Sequence, residues 1–118
     1  MAVKMITQLR QWALENEIEK KSINGFWYCF NNYKTDNLEE FIEVFGDDFD
    51  KNQLKIQLKN VALFIDEWDA EKIYDSVTYG FDYVVSYIPI EYRNKKLGVY
   101  RMLFNLSGES FDDFFMLD

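Results

Sequence analysis

Histidine is absent from this chain of 118 residues, and cysteine occurs once, as Cys29. Imidazole is the commonest general base of enzymes and the commonest side-chain ligand of metals. A single thiol can neither close a disulfide within the chain nor supply the ligands of a structural zinc site. We therefore expect neither imidazole-based catalysis nor a zinc centre.

Glycine and proline are also scarce, with five glycines far apart and one proline, Pro89. The clustered glycines of phosphate-binding loops are missing, and no Pro/Gly-rich linker divides the chain, so we predict one domain over residues 1–118. No apolar run approaches the ~20 residues of a membrane-spanning helix, and the N-terminus lacks the pattern of a secretory signal. We expect a cytoplasmic protein with no membrane partner.

Aromatic and acidic residues are abundant instead. The chain holds 11 Phe, 8 Tyr and 3 Trp, which is ample material for a core and untypical of disordered chains. Its 21 acidic and 13 basic residues give a net charge of −8. This sign repels nucleic acids and anionic lipids, so we expect no direct nucleic-acid binding and a basic protein as the partner.

The first third of the chain predicts two helices and a strand. Apolar residues at three- and four-residue spacings indicate a helix over residues 1–20, and the aromatic residues 25–30 favour a strand. A second helix begins at Asp36, where Glu39 completes a capping-box pattern, and ends at Gly46. Its apolar stripe comprises Leu38, Phe41, Ile42 and Phe45.

The remainder favours strands. Residues 53–59 alternate between polar and apolar, and the phase breaks before the apolar run 61–65; strands are preferred here to a competing helix over residues 54–68. Residues 77–92 and 97–106 predict a long hairpin around a polar turn at residues 93–96. Pro89 indicates a bulge, a ladder gap or an edge position, and residues 111–117 would add a short strand or dock on the sheet.

This order predicts an α+β fold in which two N-terminal helices pack on one face of a mainly antiparallel sheet of about five strands.

Little in the sequence indicates a catalytic or metal-binding site. Residues 47–52 resemble a calcium loop but lack its later Gly and Glu. Cys29, in an apolar strand, should have a raised pKa and be inert. We expect no enzyme activity, cofactor or metal.

The surface signal is clustered acid. Residues 36–50 hold seven acids and no base, and residues 66–75 hold five acids against one lysine. Trp68 stands among carboxylates, an arrangement typical of protein interfaces, although it could equally close the end of the core. The candidate partner-binding residues are Asp47, Asp48, Asp50, Asp66, Glu67, Trp68, Asp69 and Glu71.

Residues 66–69, Asp-Glu-Trp-Asp, and the strand from Leu97 through Met102 to Gly108 resemble bacterial immunity proteins for polymorphic and contact-dependent toxins. The resemblance is one of general character: a small, acidic, aromatic-rich α+β chain. It implies a role in binding and neutralising one cognate toxin, typically a nuclease with a basic cleft. Three other interpretations remain: a small-ligand-binding domain with an aromatic pocket, a nucleic-acid mimic and, with least support, a carboxylate-based enzyme.

Overall fold

The computed structural model describes residues 2–68 and 79–118, in which three helices precede five strands. The predicted α+β fold with an antiparallel sheet is confirmed, with three helices rather than two. The elements are α1 Ala2–Glu15, α2 Ile18–Asp36, α3 Leu38–Phe45, a 3-10 turn Lys51–Gln53, β1 Leu54–Ile56, β2 Asn60–Phe64, β3 Tyr83–Tyr92, β4 Lys95–Asn105 and β5 Ser110–Leu117.

β3 lies inside the sheet. β1 and β2 are successive segments of one edge, and both pair with β3, while β4 lies on the other side of β3 and carries β5 as the second edge. All pairings are antiparallel. The choice of strands rather than a helix after residue 53 is therefore confirmed, although β1 covers only part of the strand predicted over residues 53–59. Of the two alternatives for the C-terminal tail, the structure shows the added strand.

Pro89 lies opposite the break between β1 and β2. The backbone N–H of Lys59 donates to the carbonyl of Tyr87 at 2.9 Å, so the polar backbone groups of Tyr87 face this edge. Because the backbone groups of successive residues point to opposite sides of a strand, those of Pro89, two residues later, point to the same side as those of Tyr87. Proline has no N–H to donate, and of the three alternatives predicted from Pro89 (a bulge, a ladder gap or an edge position) the structure shows the ladder gap.

The β3–β4 hairpin turns at Arg93 and Asn94, which have φ of 51° and 65°. Positive φ at both central residues is the requirement of the two-residue turn that suits strand twist. The turn predicted at residues 93–96 is thus present but shorter, because Lys95 and Lys96 already pair with β3.

The helical third departs from prediction in two places. The first helix ends at Glu15, where the chain turns through Glu17 with φ of 52°, and α2 begins at Ile18. The strand predicted for residues 25–30 is wrong, because these residues lie within α2. The buried residues of α2 recur at every fourth position and form one helical face: Ile18, Ser22, Phe26 and Phe30. Burial of this face outweighs the strand preference of the aromatic residues.

Gly25 allows α2 to approach the sheet closely. A Cβ at this position would collide with Met102 Cε and Tyr100 Oη of β4. The same helix is tied to β3 by a buried hydrogen bond of 2.7 Å between the hydroxyls of Ser22 and Ser86. These contacts hold α2 against the middle of the sheet, and α1 and α3 lie on either side of α2.

The ends of α3 correct one prediction and confirm another. Asp36 belongs to α2, and Asn37, which precedes α3, makes no side-chain capping hydrogen bond, so the predicted capping box is wrong. Gly46 ends the helix as predicted, with φ of 88° and its N–H donating to the carbonyl of Ile42 at 2.8 Å.

An aromatic cluster fixes α3 at one end of the sheet. Ring centroids in contact lie 5.0 to 5.7 Å apart among Phe30, Phe41, Phe45, Phe49 and Tyr92. Aromatic pairs at such distances contribute beyond the area they bury. No helix in the described ranges has the length and apolar character needed to cross a membrane.

Candidate protein-binding surface

The outer side of α3 and the loop that follows it form a continuous acidic surface, here called the α3 surface. All seven carboxylates of residues 36–50 are exposed: Asp36, Glu39, Glu40, Glu43, Asp47, Asp48 and Asp50. They are exposed because α3 buries Phe41 and Phe45 in the aromatic cluster and turns its charged positions outward. Clustered carboxylates repel one another, so binding of a cationic group stabilises this surface.

Two exposed aliphatic side chains border this acidic surface on α3. Leu38 is 53% exposed and Ile42 is 42% exposed, one helical turn apart. The sequence pattern assigned both to the core stripe of α3, but the structure buries only the phenylalanines of that stripe. Exposed apolar side chains next to charged ones are a common feature of protein interfaces.

Tyr33 of α2 responds to the charge of the α3 surface. Its pKa is raised above the usual value, first by burial of the phenol and then by the carboxylates of Glu40 and Glu43. The phenol oxygen is buried and has no hydrogen-bond partner within residues 2–68 and 79–118. The negative field of α3 therefore extends to the underlying helix.

Basic groups border the α3 surface. Arg93 Nη2 lies 3.2 Å from Asp48 Oδ2, and this hydrogen bond raises the pKa of the guanidinium. The Lys34 ammonium lies over the rings of Phe41 and Phe49, at 5.6 and 5.7 Å from their centroids. Asp48 is thus partly neutralised, whereas the helical acids Glu39 and Glu43 make no ion pair in the described part of the chain.

Of the other predicted loop acids, Asp50 has a structural task. Its side chain accepts a hydrogen bond of 3.0 Å from the backbone N–H of Asn52, which caps the 3-10 turn. Its own N–H donates to the hydroxyl of Tyr92 at 2.9 Å. Asp47, in contrast, is exposed and makes no side-chain hydrogen bond within the described residues, so it remains available to a partner.

Asp66 also acts within the fold. Its carboxylate accepts from the N–H of Tyr79 at 3.0 and 3.1 Å and from the N–H of Gly80 at 2.7 Å. Its backbone N–H donates to Asp82 Oδ1 at 3.1 Å. This acid therefore clamps the two ends of the connection between β2 and β3.

Trp68 is 85% exposed, and Glu67 beside it is half-buried. The alternative in which Trp68 closes the end of the core is therefore wrong. Asp69 and Glu71, which were predicted with it, lie outside the described residues.

The two predicted acidic groups are not brought together. Asp48 contacts Arg93, just beyond the end of β3, whereas Asp66 contacts Asp82, just before β3 begins. The ten residues of β3 span about 30 Å. The α3 surface and the region of Asp66, Glu67 and Trp68, here called the Trp68 corner, consequently lie at opposite ends of the sheet. Chain order alone does not reveal this separation.

A surface cleft adjoins the α3 surface. Its volume is about 480 Å³, and its walls include Trp27 and Phe49. The Lys51 ammonium lies 4.6 Å from the centroid of the Trp27 ring. The aromatic pocket considered from sequence therefore has a counterpart here, on the surface rather than between the helices and the sheet.

Comparison with known proteins identifies no relative. No family model, curated protein or solved structure matches the chain.

The single thiol of the chain, Cys29, is held in its protonated form. Cys29 Sγ donates to Asp113 Oδ2 at 3.1 Å, and Tyr100 Oη donates to the same oxygen at 2.8 Å. Burial, followed by the contact with Asp113, raises the pKa of the Cys29 thiol to about 12. The expected raised pKa is confirmed, although the residue is half-buried on a helix and not in a strand. Within residues 2–68 and 79–118, no three potential metal-ligating side chains cluster.

Sequence reasoning missed Leu38 and Ile42 as surface residues. A signal was present, because at about 100° per residue Ile42 lies a full step around the helix from Phe41, towards Glu39 and Glu43. Leu38 offers no such signal, because the same spacing places it between Phe45 and Ile42 around the helix. The rings of Phe49 and Tyr92 pack on Phe41 and Phe45 and leave both aliphatic side chains exposed.

Proposed function

We propose that this chain is a non-catalytic binding protein that holds a basic partner on its α3 surface. In its sharpest form, the proposal is that the partner is a bacterial toxin, which the chain binds and neutralises as an immunity protein. The observation that carries the proposal is the exposed pair Leu38 and Ile42 beside the exposed carboxylates of α3.

The two kinds of group would play different parts in such a complex. Burial of the aliphatic pair supplies non-directional affinity, since each apolar side chain removed from water stabilises the complex. The surrounding carboxylates attract a cationic surface over a distance, accelerate its encounter and set its orientation. Glu39 and Glu43 suit this second role best because neither is paired with a base in the described part of the chain.

Neutralisation follows from occlusion when the basic surface of the partner is its active-site cleft. A nuclease binds polyanions through such a cleft, and an acidic helix lying in it would exclude the substrate on grounds of both volume and charge. The chain would then need no catalytic group. The immunity role implied by the resemblance is supported by this fit between the α3 surface and a basic cleft.

The Trp68 corner belongs to a different region. A standard interface covers about 800 Å² of each partner, a patch about 30 Å across. Such a patch centred on α3 would not extend to the far end of β3, where Trp68 lies. Asp47 and Asp48 therefore stay in the proposed interface, whereas Asp66 serves the fold.

The test is complex formation with the product of a neighbouring toxin gene, measured by calorimetry at increasing salt. The variant Glu39→Lys/Glu43→Lys should raise Kd about tenfold or more, because it replaces attraction by repulsion on the outer side of α3. Glu15→Lys/Asp118→Lys carries the same change of charge at exposed positions elsewhere. This control variant should leave Kd within about threefold of the wild-type value, since it alters only the long-range electrostatic field.

Two outcomes would contradict the proposal. One is a neighbouring gene product that forms no complex even at low salt. The other is equal weakening by the two charge reversals, which would mean that net charge and not the α3 surface governs binding. Thermal unfolding of each variant shows whether the fold is retained.

A further inference from the structure

A second surface with the opposite charge follows the β1–β2 edge of the sheet. A groove of about 1,100 Å³, here called the edge groove, runs along β1 and the break before β2. Its basic side chains are Lys51, Lys55, Lys59 and Lys96, against one acid, Glu91. Four lysines and one glutamate give a local charge of +3 in a chain whose net charge is −8.

The backbone along this groove is an open strand edge. β1 pairs only with β3, and no strand in the described ranges pairs with its outer side. The carbonyl of Gln53 accepts from the N–H of Arg93 at 3.1 Å, and the N–H of Lys59 donates to Tyr87, so the odd-numbered residues face β3. By alternation the N–H and C=O of Ile56 face outward. Such groups are a template for another strand.

The side chains along the same edge alternate in character. Lys55, Gln57 and Lys59 are exposed, whereas Leu54, Ile56 and Leu58 are half-buried against the core. A strand added here would place every second side chain beside the lysines and the others beside the apolar row. The pattern therefore selects an extended segment in which carboxylates alternate with apolar residues.

We propose that the edge groove binds an extended acidic segment of a partner protein as an added strand. Backbone hydrogen bonds to the outer side of β1 supply part of the affinity, and the lysines select acidic segments. Nucleic acid fits less well, because the chain as a whole repels polyanions and the open edge offers a backbone ladder that phosphates cannot complete. This binding is separate from that of the α3 surface and does not require it.

Three labelled probes test the proposal by fluorescence anisotropy on the whole chain at low salt. The first is a peptide of about ten residues in which Glu and Val alternate, a length within the usual range for strands. The second is the same peptide with alternate backbone nitrogens methylated, which keeps the charge but removes the hydrogen-bond donors of one edge. The third is an oligothymidine of similar length.

The alternating peptide should bind, the methylated peptide should bind about tenfold more weakly, and Lys55→Glu/Lys59→Glu should weaken binding of the first peptide about tenfold. Lys4→Glu/Lys20→Glu, the same charge change at exposed helical positions, should shift Kd by less than about threefold. Glu39→Lys/Glu43→Lys on the α3 surface should not weaken peptide binding, so failure of either proposal can be told from failure of the other.

The proposal is overturned if the alternating peptide does not bind, if methylation leaves its affinity unchanged, or if the oligothymidine binds as tightly. It is also overturned if the Lys4 and Lys20 reversal weakens the peptide as much as the Lys55 and Lys59 reversal. Circular dichroism of every variant shows that the sheet is retained.

Discussion

The Cys29 thiol should react with an aromatic disulfide reagent far more slowly than a free thiol, and Asp113→Asn should accelerate the reaction. The pKa of this thiol is about 12 because the side chain is partly buried and donates to the Asp113 carboxylate. The substitution removes the charge and weakens the acceptor, while burial remains. The pKa should therefore fall without returning fully to its usual value.

The magnitude follows from two opposing effects. At pH 8, a thiol with a pKa of 9.0 is about 10% thiolate, whereas one with a pKa of about 12 is about 0.01% thiolate. Thiolate nucleophilicity rises with pKa, with a Brønsted coefficient of about 0.45. Between a pKa of 9.0 and one of about 12, the thiolate therefore becomes roughly twentyfold more nucleophilic, which offsets part of the loss. The net expectation is a rate about fortyfold below that of a free thiol, before any loss from restricted access.

A pH profile of the second-order rate constant separates pKa from access. Between about pH 7.5 and 10.5, the logarithm of the rate should rise with unit slope and not level off. Asp113→Asn should lower the pH at which the rate levels off, whereas Asp112→Asn, at the exposed neighbouring position, should not. A wild-type profile that levels near pH 9, or equal profiles for the two variants, would refute the reasoning.

The same raised pKa has a consequence for stability. Because the folded state holds the thiol proton more tightly than the unfolded chain, the contribution of Cys29 is fully present below pH 9 and is lost as pH rises towards about 12. Tyr100, whose pKa is also raised by burial and then by Asp113, acts in the same direction at higher pH. Alkaline unfolding should therefore begin at higher pH in Cys29→Ala.

Two further predictions concern the fold. Asp66→Ala should lower the free energy of unfolding by about 2 kcal/mol in urea titrations, because the N–H groups of Tyr79 and Gly80 lose a charged acceptor, while Asp47→Ala should change it by less than about 0.5 kcal/mol; equal effects would disprove the clamp. Ser86→Ala should cost about 1–2 kcal/mol because it leaves the buried Ser22 hydroxyl without its partner. Truncating both serines should cost less than the sum of the single changes, and strict additivity in this double-mutant cycle would argue against the buried pair.

The strands were predictable because their signals are local. Alternation over residues 53–59, the phase break that follows and the polar turn near Arg93 all reflect a two-residue period that sheet pairing preserves. Pro89 added a constraint, since a residue without an N–H indicates a bulge, a ladder gap or an edge position. The structure places it opposite such a gap.

The aromatic segment 25–30 was not predictable in the same way. Its residues favour strands when considered alone, yet one face of α2 buries Phe26 against Tyr100 of β4 and Phe30 among the rings of α3, and Gly25 permits the close approach to the sheet. The outcome depended on residues about 75 positions later in the chain, such as Tyr100 and Met102. Intrinsic preference is small compared with the burial of two phenylalanines.

The sequence by itself determined the α+β class, the antiparallel hairpin and the concentration of acid in residues 36–50, because each arises from local period, turn chemistry or composition. Only the tertiary structure decided which of those acids remain free of ion pairs and that Leu38 and Ile42 stay exposed beside them. It also placed Trp68 towards the opposite end of β3, a strand about 30 Å long. It likewise gathered four lysines along one sheet edge of an acidic chain. The physical reason is that pairing and packing join residues distant in the chain, and a surface is whatever those contacts leave uncovered.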